Sequence, residues 1–203
     1  DQIDTETINL DSSKWILKEF EGVQKNYFAN IEKYQFHEIA SLIYHFTWHT
    51  FCDWYIEFIK SDFKDPKKSE ETKKISGWVF VQTLKLLHPI MPFITEKLWL
   101  SLVDNKSFLM SQNFVNVHFD PSFDNSKKYI LKIIEILTSL RNLRADLNIS
   151  YKNEIDIIID TKNSNLKDFI TNYQTEFKRL LKIKSIFFEE NTIQKKSAFI
   201  VLN

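Results

Sequence analysis

Residues 36–60 read FHEIASLIYHFTWHTFCDWYIEFIK, and the way this stretch is wound decides the fold. Ile39, Ile43, Phe46 and Trp54 recur at helical spacing, while Leu42, Phe51, Tyr55, Phe58 and Ile59 widen the stripe around much of the circumference. A helix that is apolar nearly all round has to be covered on several sides, so this segment is expected at the centre of a helical bundle. The segment before it opens on the capping cluster Asp11-Ser12-Ser13 and continues through Ile16, Phe20, Val23, Tyr27, Ile31 and Tyr34. The segment after it, about 60–74, is polar and lysine-rich, holds Pro66, and reads as a loop.

A third helix is expected from about Glu70 to His88, with Ile75, Trp78, Val79, Leu84 and Leu87 inward. Pro89 removes an amide donor and opposes continuation, and Pro92 suits the first turn of a fourth helix with Phe93, Leu98, Trp99 and Leu102 inward. The pattern then weakens, with short extended pieces near Phe108–Met110 and Val115–Phe119. A fifth helix, capped by Asp124 or Ser126, carries Ile130, Ile133, Leu137, Leu140 and Leu147. Beyond Ile149 the period changes. Residues 154–160 are β-branched and partly alternating, a helix follows over about 164–182, and Ser185–Glu189 and Ser197–Leu202 read as strands. The expected fold class is mainly α: a bundle of about five helices over 1–150, then a small α+β appendage (βαββ) over 151–203.

Composition narrows the function. With only 2 Gly among 203 residues there is no glycine-cradled phosphate loop, and 1 Cys excludes a disulfide framework or a cysteine zinc ribbon. The absence of an apolar run of about 18 residues speaks against a membrane span, and the acidic start is no signal peptide. Without an initiator Met, the chain reads as a cytoplasmic piece cut from a longer protein. Lys+Arg and Asp+Glu are both 27, so nucleic-acid binding has to rest on local placement, since the overall charge does not support it.

His45, His49 and Cys52 stand at i, i+4 and i+7 and are the right atom types for zinc, but no second Cys completes the set. Embedded among Phe46, Trp48, Phe51 and Trp54, they are expected to be helix-packing histidines and a buried thiol, and the metal reading is rejected. Neither a GxSxG elbow nor an HExxH motif occurs, and no catalytic residue is assigned. Trp48, Trp54, Trp78 and Trp99 could stack on unpaired bases, yet helical phase favours core packing for at least three of them. Two of the three arginines, Arg141 and Arg144, lie one helical turn apart and can bridge phosphates or serve the bundle.

Three strings resemble the anticodon-binding region of class I aminoacyl-tRNA synthetases, the valyl branch most closely. They are Tyr34-Gln35-Phe36-His37-Glu38-Ile39-Ala40 running on to Phe51-Cys52-Asp53-Trp54-Tyr55 and Lys60; Leu86-Leu87-His88-Pro89-Ile90-Met91-Pro92-Phe93-Ile94-Thr95-Glu96-Lys97-Leu98-Trp99; and Leu140-Arg141-Asn142-Leu143-Arg144-Ala145-Asp146-Leu147. The resemblance covers about residues 10–150. It implies a fragment of a valine–tRNA ligase that recognises tRNA(Val), with Arg141, Arg144, Lys60 and Lys33 as candidate tRNA-binding residues. Valine activation, with ATP and Mg, would belong to a catalytic domain of the same polypeptide, whose HIGH-like and KMSKS-like signatures are absent here. No cofactor is expected in this chain. Two alternatives stand beside this reading: a structural or protein-interaction bundle without RNA contact, and the equivalent domain of an isoleucyl or leucyl enzyme.

Overall fold

The computed structural model describes residues 3–102, 107–162 and 164–188. The chain divides into two compact units, residues 1–130 and 131–203.

In the large unit, α1 (Asp11–Glu32) buries Trp15, Ile16, Leu17, Phe20, Val23 and Tyr27. It packs against α2 (Phe36–His45) and against the π-helical segment Phe46–Tyr55 that prolongs it. One more turn, α3 (Ile56–Ile59), completes that rod, and α4 (Ser69–Leu87) lies against both α1 and α2. The rod is therefore continuous over Phe36–Ile59, as the sequence suggests, but it is not the enclosed centre. Its buried side chains are Ile39, Ile43, Phe46, Phe51, Tyr55, Phe58 and Ile59, which form one face. The step of five from Phe46 to Phe51 would break an α-helical phase. The π segment absorbs it, as where the Ile56 N–H donates to the Phe51 carbonyl five residues back. What looked like an all-round apolar helix is a one-sided helix whose phase slips, so α1 takes the axial place and Trp54 is only half-buried.

Polar anchors from distant segments set the remaining phases. The amides of Asn9 and Leu10, at the entry to α1, donate to the Glu71 carboxylate of α4 at 3.0 Å each, so the entry is secured by a partner about 60 positions away and not by the expected Asp11-Ser12-Ser13 cluster. Asp11 instead accepts from the Ser126 hydroxyl at 2.6 Å. Buried Gln24 donates to the Val115 carbonyl (2.7 Å) and accepts from the Val117 amide (3.2 Å), pinning the 115–119 segment along α1. Lys85 is buried and donates to the Asn113 carbonyl at 3.0 Å, and desolvation holds its pKa below the usual lysine value. In place of an extended piece at Phe108–Met110 there is a 3-10 turn, Leu109–Ser111.

α5 (Pro92–Leu102) begins on the expected proline but is rotated away from the expected face. Only Thr95 and Trp99 are buried. The Thr95 hydroxyl donates to the Met91 carbonyl (2.8 Å) and stands 2.8 Å from His88 Nδ1, while Trp99 Nε1 donates to the Ser107 carbonyl at 2.8 Å. These two polar anchors turn the 95/99 edge inward against Leu84 and Leu109. Phe93, Leu98 and Leu102, expected inside, are exposed.

α6 (Phe123–Asp146) starts behind an Asp120-Pro121 turn, with Asp124 and Ser126 already inside its first turns. Its opening residues tie to α1 through Lys127–Glu19 (3.3 Å) as well as Ser126–Asp11.

The small unit holds the rest of α6, β1 (Ile155–Ile159), α7 (Ser164–Asn172), α8 (Gln174–Leu181) and β2 (Ile183–Phe188). β1 and β2 pair in parallel, with Asp156 opposite Ser185 and Ile159 opposite Phe188, and the helical pair supplies the crossover that parallel strands require. The single expected helix is broken at Tyr173 (φ −105°, ψ 15°), and α8 ends on left-handed Lys182 (φ 52°). Ile157, Ile159, Ile170 and Phe177 meet Ile136 and Leu140 in an apolar layer. The expected strand Ser197–Leu202 lies outside the described residues. Among the described residues no helix is long and apolar enough to cross a membrane.

Candidate nucleic-acid interface

The side of α2 and the π segment opposite the core is open and lined with rings. Phe36, Tyr44 and Trp48 are exposed, and so are His45, His49, Cys52 and Asp53. Hydrogen bonding five residues apart widens the turn, so positions 44, 48 and 52 run in one row and 45, 49 and 53 in the next. Tyr44, His45 and His49 form a ring cluster, with centroids 5.3 to 5.9 Å apart, and His49 Nδ1 lies 3.3 Å from Asp53 Oδ2.

Tyr34 extends this surface at the corner between α1 and α2. Its φ of 56° places it in the left-handed region, where a bulky residue is costly and glycine is the usual occupant. The Gln35 amide donates to the Asn30 carbonyl at 2.9 Å, which closes α1. The Tyr34 side chain is 80% exposed and meets Phe36 edge-to-face at 6.3 Å. The ring therefore stands exposed on a left-handed backbone, with Phe36 as its aromatic neighbour. Lys33, also exposed, precedes it.

The four candidate cations are placed unequally. Lys33 is exposed at the corner just described. Lys60 is exposed just past α3 and ion-paired with Glu57. Arg141 is half-buried on α6. Arg144 is 3% exposed: Nη1 donates to the Leu181 carbonyl (2.7 Å), Nη2 to the Ser150 (2.7 Å) and Asn153 (2.8 Å) carbonyls, and Tyr151 covers the guanidinium at 5.2 Å. Three backbone acceptors from the ends of α8 and the 150–153 turn converge on one planar fork, a geometry that ammonium cannot reproduce. Arg144 thus organises the small unit from within, and its position offers RNA no face.

His45, His49 and Cys52 are all exposed, which overturns their expected place in the core. Adjacency in sequence to Phe46 and Phe51 is not adjacency in space: the phase set by Ile39, Ile43 and Phe46 puts 45, 49 and 52 on the opposite side. Partial desolvation by its neighbours, although the residue is exposed, and the Asp53 carboxylate raise the Cys52 thiol pKa, so it is no activated nucleophile. Among the described residues no three His, Cys, Asp or Glu side chains converge as metal ligands. Trp99 is buried, and Trp54 and Trp78 are half-buried against Phe58 and against Phe20 and Phe119. Trp48 is the one of the four that faces solvent. Sequence reading missed Tyr34, Phe36 and Tyr44 as surface groups. Tyr34 falls on the expected apolar stripe of the first helix, which the structure overturns at Ile31 and Tyr34, both exposed, while Phe36 and Tyr44 fall off the inward phase of the second helix.

Residues 13–159 match the family model described as the anticodon-binding domain of tRNA ligase. The chain is 36% identical over 185 residues to the valine–tRNA ligase of Pelagibacter ubique, a match covering 89% of this chain and 21% of that protein. It is 35% identical over 171 residues to that of Mesoplasma florum (84% and 19%) and 34% identical over 160 residues to that of Lactiplantibacillus plantarum (77% and 18%). The chain thus spans about a fifth of the length of these relatives. A helical bundle with an open aromatic face, matched over most of its length by that model, belongs to the family of anticodon-binding domains of tRNA ligases.

Proposed function

We propose that this chain is the tRNA-recognition region of a cytoplasmic valine–tRNA ligase, holding tRNA(Val) for a catalytic domain elsewhere in the same polypeptide. The open row Tyr34, Phe36, Tyr44 and Trp48, with Lys33 beside it, carries the reading. Splayed anticodon-loop bases stack on such rings, a rigid rod keeps the rings at fixed separations, and ammonium groups meet the phosphates. Lys60 is a further candidate for phosphate contact on the same unit, and Arg141 is a separate candidate on the small unit. ATP and Mg belong to the catalytic domain, which performs valine activation. The names of the relatives support the choice of valine over isoleucine or leucine.

The test uses the full-length protein. Ala at Tyr34 or Trp48 should raise KM for tRNA(Val) by about tenfold each, the scale of ~1–3 kcal/mol per stacked base, and Lys33→Ala should raise it less, with valine-dependent ATP–pyrophosphate exchange unchanged. Arg141→Ala should raise that KM more modestly, whereas Arg144→Ala should lower thermal stability, because three carbonyls lose their donor. An unchanged KM in all three outer-face variants would favour a bundle that serves the enzyme without touching RNA.

A further inference from the structure

α5 is apolar on both sides, yet only one side is covered. Thr95 and Trp99 face the core, while Phe93 (90% exposed), Ile94, Leu100 and Leu102 face outward. The turn that follows adds Phe108 and Met110, both exposed. Pro92, Phe93, Lys97, Leu100, Phe108 and Met110 line a shallow open groove of about 370 Å³. Scattered apolar side chains are ordinary on a surface, but a contiguous set this large on one helix and its adjoining turn marks a face that another body covers. The polar groups at its edge are largely committed. Glu96 accepts from the Leu109 amide at 3.0 and 3.2 Å and has His88 Nε2 at 3.9 Å, which leaves Lys97 as the exposed charge on the rim.

We propose that this α5 face is where the catalytic domain of the same polypeptide docks. The inference rests on the reading of the chain as part of a longer valine–tRNA ligase and adds the face and the residues. The chain covers 18–21% of the relatives' length, so about four fifths of such a polypeptide lies outside residues 1–203. RNA does not suit the groove: besides Phe93 and Phe108 its lining is aliphatic (Pro92, Leu100, Met110), and the Glu96 carboxylate offsets Lys97, so it offers phosphate no net positive charge. The occupant is an apolar surface with a carboxylate at its edge to meet Lys97, packed as in a domain interface within one chain.

The experiment places the photocrosslinker p-benzoylphenylalanine at Phe93 or Met110 of the full-length protein, with Phe63, exposed on another loop, as the control position. Irradiation without tRNA should join both positions to peptides outside residues 1–203, within a single polypeptide mass. Crosslinks between two copies, crosslinks that form only to tRNA, or yields no higher than at position 63 would each overturn the proposal. Phe93→Asp should lower kcat for valine transfer at least tenfold with KM for tRNA(Val) within twofold. A drop confined to KM would count against docking. Failure of the unmodified full-length protein to charge tRNA(Val) would refute the family role instead, an outcome that the crosslinking arm does not depend on.

Discussion

Tyr55 is wholly buried, its ring 6.4 Å from Trp15 and 5.5 Å from Phe51, and its hydroxyl finds no hydrogen-bond partner among the described residues. Burial raises its pKa well above the ordinary tyrosine value, with the Glu71 and Asp62 carboxylates adding to the shift. The folded chain therefore keeps this proton where the unfolded chain releases it, so the Tyr55 contribution to stability is complete below pH ~10 and falls as pH rises beyond it. Tyr27, raised by burial alone, acts in the same sense. Tyr55→Phe removes an unsatisfied polar group while keeping the ring. It should stabilise the protein by about 1 kcal/mol at pH 7 and by more at pH 10.5, read from urea unfolding midpoints. A variant less stable at both pH values would mean that the hydroxyl has a partner. Residue chemistry was legible where periodicity alone decides it, as at Ile16, Phe20 and Ile43, all fully buried. It was not legible at Arg144, whose acceptors Ser150, Asn153 and Leu181 come from two separate segments: a guanidinium in a polar run looks the same whether it meets phosphates or carbonyls.

Elements are where the sequence speaks most clearly, because helix and strand repeats are local. The rod Phe36–Ile59, the stop before Pro89, the start at Pro92 and the switch to strand near Ile155 all lie within a few residues of their expected places. What escaped is phase. A π-helical stretch leaves no composition of its own, and the Phe46-to-Phe51 step reads as a broadened α stripe until the i→i+5 bonding is seen. The rotation of α5 escaped as well, since it is set by Thr95 and Trp99 meeting partners elsewhere in the fold. The helices also carry slack. Gly22 in α1 and Gly77 in α4 both lie in helix interiors, and a Cβ added at either meets nothing within 4 Å. Gly22→Ala and Gly77→Ala should each stabilise the bundle by roughly 0.5–1 kcal/mol through helix propensity alone, and should add to each other because they lie on separate helices. The double variant should show a thermal midpoint several degrees above the parent, and a shift no larger than that of either single variant would show that the two helices do not unfold together.

For the molecule as a whole, charge decides how RNA can be held. Lys+Arg and Asp+Glu balance at 27 each, and the balance is local as well as global. On the open face His37 lies 3.3 Å from Glu38 and His49 from Asp53, while Lys60 is paired with Glu57. Such a surface lacks the continuous basic stripe that binds a phosphate backbone wherever it is met. On the proposed reading, recognition leans on stacking, and counterion release is a minor contribution. The candidate cations at or near a surface, Lys33, Lys60 and Arg141, allow about three phosphate contacts, which for unpaired strands corresponds to a log–log slope against salt of about −2. The tRNA affinity of this region should therefore change by only about 16-fold between 50 and 200 mM salt, measured by filter binding, with tRNA(Val) and a mismatched tRNA losing the same factor. A slope near −6 would show that further exposed lysines, such as Lys64, Lys67, Lys73 and Lys74, also meet phosphate. A slope that is shallow for tRNA(Val) but steep for the mismatched tRNA would separate ring stacking from phosphate contact directly, because only the first can tell one anticodon loop from another.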